Sequence, residues 1–499
     1  MRMAKTYHRI FKRIKILFLL LSIAGLCAVW AQKETLEVTD QNITLAVETD
    51  LSTDNAVAAH LIDVETSDGY VTLSGTVDNI LAKERAAKLA RSIKGVKGVI
   101  NTITVNPVYR SDIAIRNNVN AVLLFDKATE SYEITVSVDT GKVFLDGTVQ
   151  SLAERKIAEK AAKSVTGVVA VENNIDVVPT EKRSDKDIKA EIVRKLELDP
   201  YVYEEMIDVK VDDGEVVLSG TVGSLAEKGF AYNDAAILGV KTIDDRKLVV
   251  KLWANDPLRR KGKLVVKPED DLAGHVEAIL NHDPRVSDYD IDVSVDGSTI
   301  ILDGVVDNLN SALRARQDAL NVVGVYRVIN RLRVRPEKLL SSSEIEENAE
   351  YILKWDPVVE RHEISVTLRN AKAYLEGKVD SRYEKMHAEE IVSRIPGVVN
   401  IENLIAVREK PWVYINDDVL ESNIQQEFRF NWFVDEEDLK VEAMDGVATV
   451  TGDIESKREL YAIVDNAFDA GAKMVKTRLE FNGIPDYMVF HYRDPIWFE

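Results

Sequence analysis

The sequence predicts an α+β fold in which one small unit is used six times. Two observations carry this reading: a turn, strand and glycine phrase returns at nearly constant spacing, and the same two helix-period segments flank each copy. The phrase reads Asp68-Gly69 to Leu73-Ser74-Gly75-Thr76-Val77, Thr140-Gly141 to Leu145-Asp146-Gly147-Thr148-Val149, and Asp213-Gly214 to Leu218-Ser219-Gly220-Thr221-Val222. Weaker copies run from Asp296-Gly297 to Gly304-Val305-Val306, from Asn370 to Gly377-Lys378-Val379, and from Asp445-Gly446 to Gly452-Asp453-Ile454. The second glycines are spaced by 72, 73, 84, 73 and 75 residues, which marks a tandem array.

Each unit opens on a helix. Apolar residues stand at i, i+4 and i+8, as in Ile43, Val47, Leu51 or Ile115, Val119, Leu123, and this spacing lines one helical stripe. Ser111-Asp112 and Asp270-Asp271 suit an N-cap. Next comes alternation around the Asp-Gly pair, the signature of an antiparallel hairpin whose tight turn needs positive φ. An alanine-rich helix follows, such as 81–93, 152–165 or 312–322, small enough in side chain to lie close on a sheet. A Gly-introduced strand closes the unit at Gly95, Gly167, Gly239, Gly324, Gly397 and Gly471, and an Asn marks it at 101, 173, 330 and 403. The predicted unit is therefore α-β-β-α-β: a three-stranded mixed sheet with two helices on one face, the last two strands parallel through a right-handed crossover. The bare sheet face and the sheet edge are the expected docking places.

The units span 40–107, 111–179, 184–251, 268–336, 342–408 and 417–482. Between the third and fourth lies a basic linker, 252–267, with Trp253, Arg259, Arg260, Lys261 and Lys263. It is either a solvated connection or a loop for anionic headgroups. An aromatic tail, 483–499, carries Tyr487, Phe490, Tyr492, Trp497 and Phe498, and either packs back on the sixth unit or anchors a partner. The short connections 106–110 and 179–185 predict a semi-ordered rod.

Residues 1–31 read as a secretory signal: six basic residues, an uncharged apolar run from Ile16 to Ala31, and Val29-Trp30-Ala31 before a cut between Ala31 and Gln32. Retention of the run as an anchor is the alternative. Leu26 ahead of Cys27 argues against a lipid anchor. Removal of this segment lowers the basic count from 64 to 58 against 84 acidic residues, a formal charge of −26. Such a field disfavours nucleic acid, and with Cys27 gone no disulfide or thiolate site remains.

No catalytic constellation emerges. The motif glycines (Gly69, Gly75, Gly95, Gly141, Gly147, Gly167, Gly214, Gly220, Gly239, Gly297, Gly304, Gly324, Gly377, Gly397, Gly446, Gly452 and Gly471) sit on or beside strands, so backbone geometry explains them better than a phosphate cradle. His275 and His282 share a helical face without further ligands and are expected as a solvent-exposed pair. Asp290, Asp292 and Asp296 alternate along a strand and miss the spacing of a calcium loop. No Ser, His and Asp recur together.

In its hairpin Asp-Gly, its Leu-Ser-Gly-Thr-Val and its Gly-Val before the last strand, the unit resembles the BON (bacterial osmotic and nodulation) domain; Gly471-Ala472 departs from the last element. The resemblance implies an exported periplasmic protein, without cofactor or catalysis, that binds phospholipid or another envelope polymer in osmotic or envelope stress. Six copies would then act by avidity. Binding of envelope proteins as an assembly scaffold, similar to ring-building secretion domains, is the second expectation.

Overall fold

In a computed structural model of the chain, residues 38–54, 56–57, 59–130, 133–180, 182–199, 201–254, 269–322, 324–337, 340–408, 412–454, 456–481 and 483–491 are described. Each repeat folds in the predicted order. The first has helix α1 (Asp40–Thr53), hairpin β1 (Ile62–Ser67) and β2 (Tyr70–Val77), helix α2 (Ile80–Ser92), and a closing strand broken into β3 (Gly98–Asn101) and β4 (Thr104–Val105). The second has α3 (Asp112–Phe125), β5 (Thr135–Asp139), β6 (Lys142–Val149), α4 (Leu152–Lys163) and β7 (Ala170–Val177). The third has α5 (Asp185–Leu198), β8 (Ile207–Asp212), β9 (Glu215–Val222), α6 (Leu225–Ala235) and β10 (Thr242–Val250). The fourth has α7 (Glu269–Leu280), β11 (Ile291–Asp296), β12 (Thr299–Val306), α8 (Leu309–Leu320) and β13 (Arg327–Val334). The fifth has α9 (Ser342–Trp355), β14 (Ile364–Arg369), β15 (Lys372–Val379), α10 (Arg382–Ser393), β16 (Asn400–Asn403) and β17 (Ala406–Val407). The sixth has α11 (Asp417–Phe430), β18 (Leu439–Met444), β19 (Val447–Ile454), α12 (Lys457–Asp469), β20 (Met474–Phe481) and a further strand, β21 (Ile484–His491).

The second strand is central in every sheet, antiparallel to the first and parallel to the closing one. Its inward residues, Val71, Leu73 and Val77 in the first repeat, meet the α1 stripe and the alanines Ala82, Ala86, Ala87 and Ala90 of α2. All are buried. Such small side chains let the second helix sit close to the sheet.

Three polar devices fix this geometry. Asp40 accepts hydrogen bonds from the N–H groups of Asp68 and Gly69, both at 2.8 Å, so the start of the first helix holds the hairpin turn. Asp112, Asp185 and Asp417 do the same in repeats two, three and six. The second helix is N-capped by Asn79, Ser151, Ser224, Asn308, Ser381 or Ser456. The strand Asn (101, 173, 330, 403) donates to the carbonyl of Lys83, Arg155, Ala312 or Lys385, tying the closing strand to that helix. Asp112→Ala therefore leaves two turn N–H groups without their acceptor, and a loss of about 1–2 kcal/mol is expected, read as a lower melting temperature in calorimetry.

Two details differ from expectation. In the fourth repeat β11 extends through Asp296, paired with Thr299, so the turn falls on Gly297 and Ser298, one residue later than the Asp296-Gly297 phrase implied. In the sixth, β21 pairs antiparallel with β20, which extends that sheet to four strands and buries Phe490. The tail thus packs back as far as His491. Tyr487 on it is exposed, and Tyr492, Trp497 and Phe498 lie outside the described residues.

The repeats do not form a rod. Repeats one to three meet pairwise: Lys163 reaches Glu84, Lys156 lies 3.2 Å from Asn233, and α2 packs on α6. Repeats four to six do likewise, through Arg314 with Glu390 (2.7 Å), Arg382 with Asp465 (2.8 Å), and the tilted rings of Tyr326 and Phe481, 4.9 Å apart. The two triangles then join face to face. Lys94 N donates to Phe430 O between repeats one and six, Thr166 N to Trp355 O between two and five, and His282 meets Glu191 between three and four. Further joints link one to five (Arg85 over Tyr383), two to four (Lys127 with Asp307) and three to six (Tyr201 with Trp432). Second helices face the middle and the bare sheet faces point outward. The short connections that predicted a rod allow this closure because the helix ends carry apolar side chains, Trp355, Phe430 and Trp432, that a neighbour must cover.

Candidate functional site

All the motif glycines take positive φ. Two show why. A Cβ on Gly75 would lie 2.0 Å from the carbonyl oxygen of Leu61 at the entry to β1, and one on Gly95 2.2 Å from Val38 ahead of α1. These are backbone positions that glycine alone fits. Trp253 is 65% exposed, in the turn 252–254. Arg259, Arg260, Lys261, Lys263, Ala31 and Gln32 lie outside the described residues.

Among the described residues one group has ligand atoms close enough for a cation: His362, Asp380 and Glu384. Protein cations already stand there. Arg361 pairs with Glu384, and Arg408 lies 2.5 Å from Asp380. One oxygen of Glu384 also accepts from Asp380 N and Ser381 N at 2.7 and 2.8 Å, the service that Glu154 gives to Gln150 N and Ser151 N. The cluster is a helix N-terminus balanced by two guanidinium groups.

The expected exposed pair on α7 is not found. His275 is buried, and His282 sits against Glu191 of the third repeat, because α7 packs on its neighbour and not against water. Burial alone would raise the Glu191 carboxyl, but His282 and Arg183 outweigh it and pull the pKa down to about 2.

Buried ionisable groups collect at the joint between the first and sixth repeats. Asp50 and Asp54 of the α1 end face Glu427 of α11 and Asp465 and Asp469 of α12, with Arg85 and Arg382 as nearby cations. Burial, then Glu427 and Asp469, raise Asp50 well above the carboxylate range. Burial lifts Glu427 to about 7. In the fifth repeat, burial pulls the His387 imidazole down, but Asp356 at 2.9 Å outweighs it and the net shift is upward.

An apolar exposed surface lies at the hairpin end of the sixth repeat. Trp412 lies over the Gly446 turn, its Nε1 donating to Gly471 O at 3.0 Å, and its ring meets Tyr414 edge-on at 5.9 Å. Val413, Tyr414, Val419 and Met444 are 75, 63, 50 and 72% exposed. Lys473 stands over the Trp412 ring. The place of Met444 is taken by Ser67, Asp139, Asp212, Asp296 and Arg369 elsewhere, and that of Trp412 by Pro107, Thr180 and Glu337 in repeats two, three and five. Repeat two places Val108 and Tyr109, 53 and 85% exposed, where the sixth has Val413 and Tyr414, but it lacks the counterparts of Trp412 and Met444. Sequence reading missed the patch because its residues come from a linker, the start of α11 and a strand end, outside both periodic patterns.

Comparison with known proteins agrees with this architecture. The family described as BON domain matches residues 39–107, 111–179, 184–251, 268–336, 341–409 and 416–482. The chain belongs to the BON domain family. Its similar BON relatives include osmotically-inducible protein Y of Escherichia coli (strain K12), 34% identical over 143 residues, 27% of this chain and 71% of that protein. Another is the outer membrane lipoprotein DolP of Haemophilus influenzae, 27% identical over 141 residues, 27% of this chain and 72% of that one. Among solved structures, CdsD, a structural protein of the type III secretion system of Chlamydia trachomatis, aligns over 42% of this BON chain and 91% of its own, with 14% identity and a TM-score of 0.12. Among the described residues no helix is long and apolar enough to cross a membrane.

Proposed function

We propose that this BON protein is exported to the periplasm and is a non-enzymatic binder of the cell envelope, attaching to phospholipid through the apolar rim of its sixth repeat in envelope or osmotic stress. The observation that carries the reading is the exposure of Val413, Tyr414, Val419 and Met444 together with Trp412, whose ring meets Tyr414 and Lys473. Aromatic rings backed by a cation suit the boundary between headgroups and acyl chains. The names of the two relatives, one osmotically inducible and one an outer membrane lipoprotein, support an envelope setting. Neighbours cover much of each helical layer, which leaves the outward sheet faces and edges as the surfaces through which six copies would act by avidity.

Cosedimentation of the purified chain with phosphatidylethanolamine and phosphatidylglycerol vesicles checks this. Binding is expected, with Trp412→Ala/Tyr414→Ala lowering the bound fraction about tenfold at equal lipid. A chain that stays in the supernatant at low salt, with and without magnesium, overturns the reading.

A further inference from the structure

The closing strand of the fourth repeat differs from its equivalents. β13 carries Arg327, Arg331 and Arg333, Arg335 follows directly, and residues 327–335 contain no acid. Leu332 between them packs on the core, so alternation puts all four arginines on the uncovered face, where each is exposed. In β7 the same four places, with that of Ile329, hold Ala170, Glu172, Asn174, Asp176 and Val178. Arg331 approaches Asp303 at 3.7 Å. The guanidinium groups of Arg327, Arg333 and Arg335 have no ion pair or hydrogen bond among the described residues.

β13 is also an outer strand, in the order β11-β12-β13, with its far edge unpaired among the described residues. In the sixth repeat that edge is filled: β21 runs antiparallel along the whole of β20, from Met474 opposite His491 to Phe481 opposite Ile484. This fold thus accepts a further strand at the place β13 leaves open.

We propose that the free edge of β13 receives an antiparallel strand from a partner protein whose side chains on the outer face are acidic at alternate positions. Residues directly opposite across such a pair stand about 5 Å apart at Cβ, which brings a carboxylate onto each guanidinium. The partner sequence complementary to Arg335, Arg333, Arg331, Ile329 and Arg327 reads acidic at the first three alternate positions, apolar at the fourth and acidic at the fifth. A flat anionic membrane fits less well, because Asp292, Asp296 and Asp303 share the same face. An added strand meets β13 alone, with β11 a further two strands, about 10 Å, away. This surface is separate from the sixth-repeat rim, and its test is independent of vesicle binding.

The test is fluorescence polarisation of a dye-labelled peptide of that pattern, with threonine at the intervening positions, against the purified full chain. Saturable binding is expected. Arg331→Glu/Arg333→Glu is expected to weaken it about tenfold or more, and Arg331→Lys/Arg333→Lys to retain most of it. Methylation of alternate peptide nitrogens is expected to abolish it, since strand addition needs main-chain hydrogen bonds. Circular dichroism confirms that the variants fold. Equal affinity for the N-methylated peptide, equal affinity for a peptide with its acids gathered in one block, or indifference to charge reversal overturns the proposal and leaves the arginines as protection of an exposed edge.

Discussion

Replacing Trp432 with alanine is expected to destabilise the chain by about 3–5 kcal/mol, although Trp432 belongs to none of the six apolar stripes. Its indole is 2% exposed and lies between rings of two repeats: Phe230 at 5.8 Å and Tyr201 at 5.8 Å from the third, Phe433 at 5.3 Å from its own. Arg458 adds a cation over Tyr201, Phe230 and Phe433, and the Tyr201 hydroxyl meets Ser456 Oγ at 2.5 Å. Truncation removes the centre of this stack and leaves a cavity that the surrounding helices close only in part. Calorimetry reads the loss. Small-angle scattering reads its geometry, since a closed particle of this length has a radius of gyration of about 23 Å, and the variant is expected to swell. In a rod Trp432 would meet water and the substitution would be nearly silent.

The second large effect is a loss of stability as pH rises through neutrality. Glu427 has a folded pKa of about 7 against an ordinary 4.5, because burial at the joint of repeats one and six disfavours its charged form by more than its hydrogen bond with Asp50 favours it. A carboxyl shifted this way binds its proton more tightly when folded. Its stabilising contribution is complete below about pH 4.5 and disappears as pH rises through about 7, a difference of about 3 kcal/mol. Asp50, Asp465 and Asp469 are raised as well and act in the same direction, while Arg85 and Arg382 moderate them. Melting temperature is therefore expected to fall between pH 5 and pH 8. Glu427→Gln, which keeps the shape and removes the titration, is expected to flatten that slope. An unchanged slope in Glu427→Gln sinks this assignment.

Within a repeat, the sequence states nearly everything. Periods of about four and of two, a tight turn and a required glycine are local signals, and helices, hairpins and crossover follow from them. The Ser111-Asp112 pair read as a cap proved to divide the work, Ser111 capping and Asp112 holding the turn. What lies between repeats is not local. Asp50 and Glu427 stand on the polar side of amphipathic helices and read as solvated charges until the two helices are seen to meet. His275 and His282 misled for the same reason, as their helix has a neighbour where water was expected. The alternating arginines of β13 carry no local signal of their place, and only the strand order shows that they border an open edge.

The way the two triangles join bears on how such a molecule arises. The long connection falls between the third and fourth repeats, so each half of the polypeptide is a complete triangle, and Tyr201 meets Phe433 at the corresponding place of the other half. Contacts of like with like across two equal bodies are those of a twofold homodimer. A three-repeat ancestor pairing with itself would have the same interfaces, and fusion of its genes end to end would turn a concentration-dependent dimer into a single chain whose halves meet at every dilution.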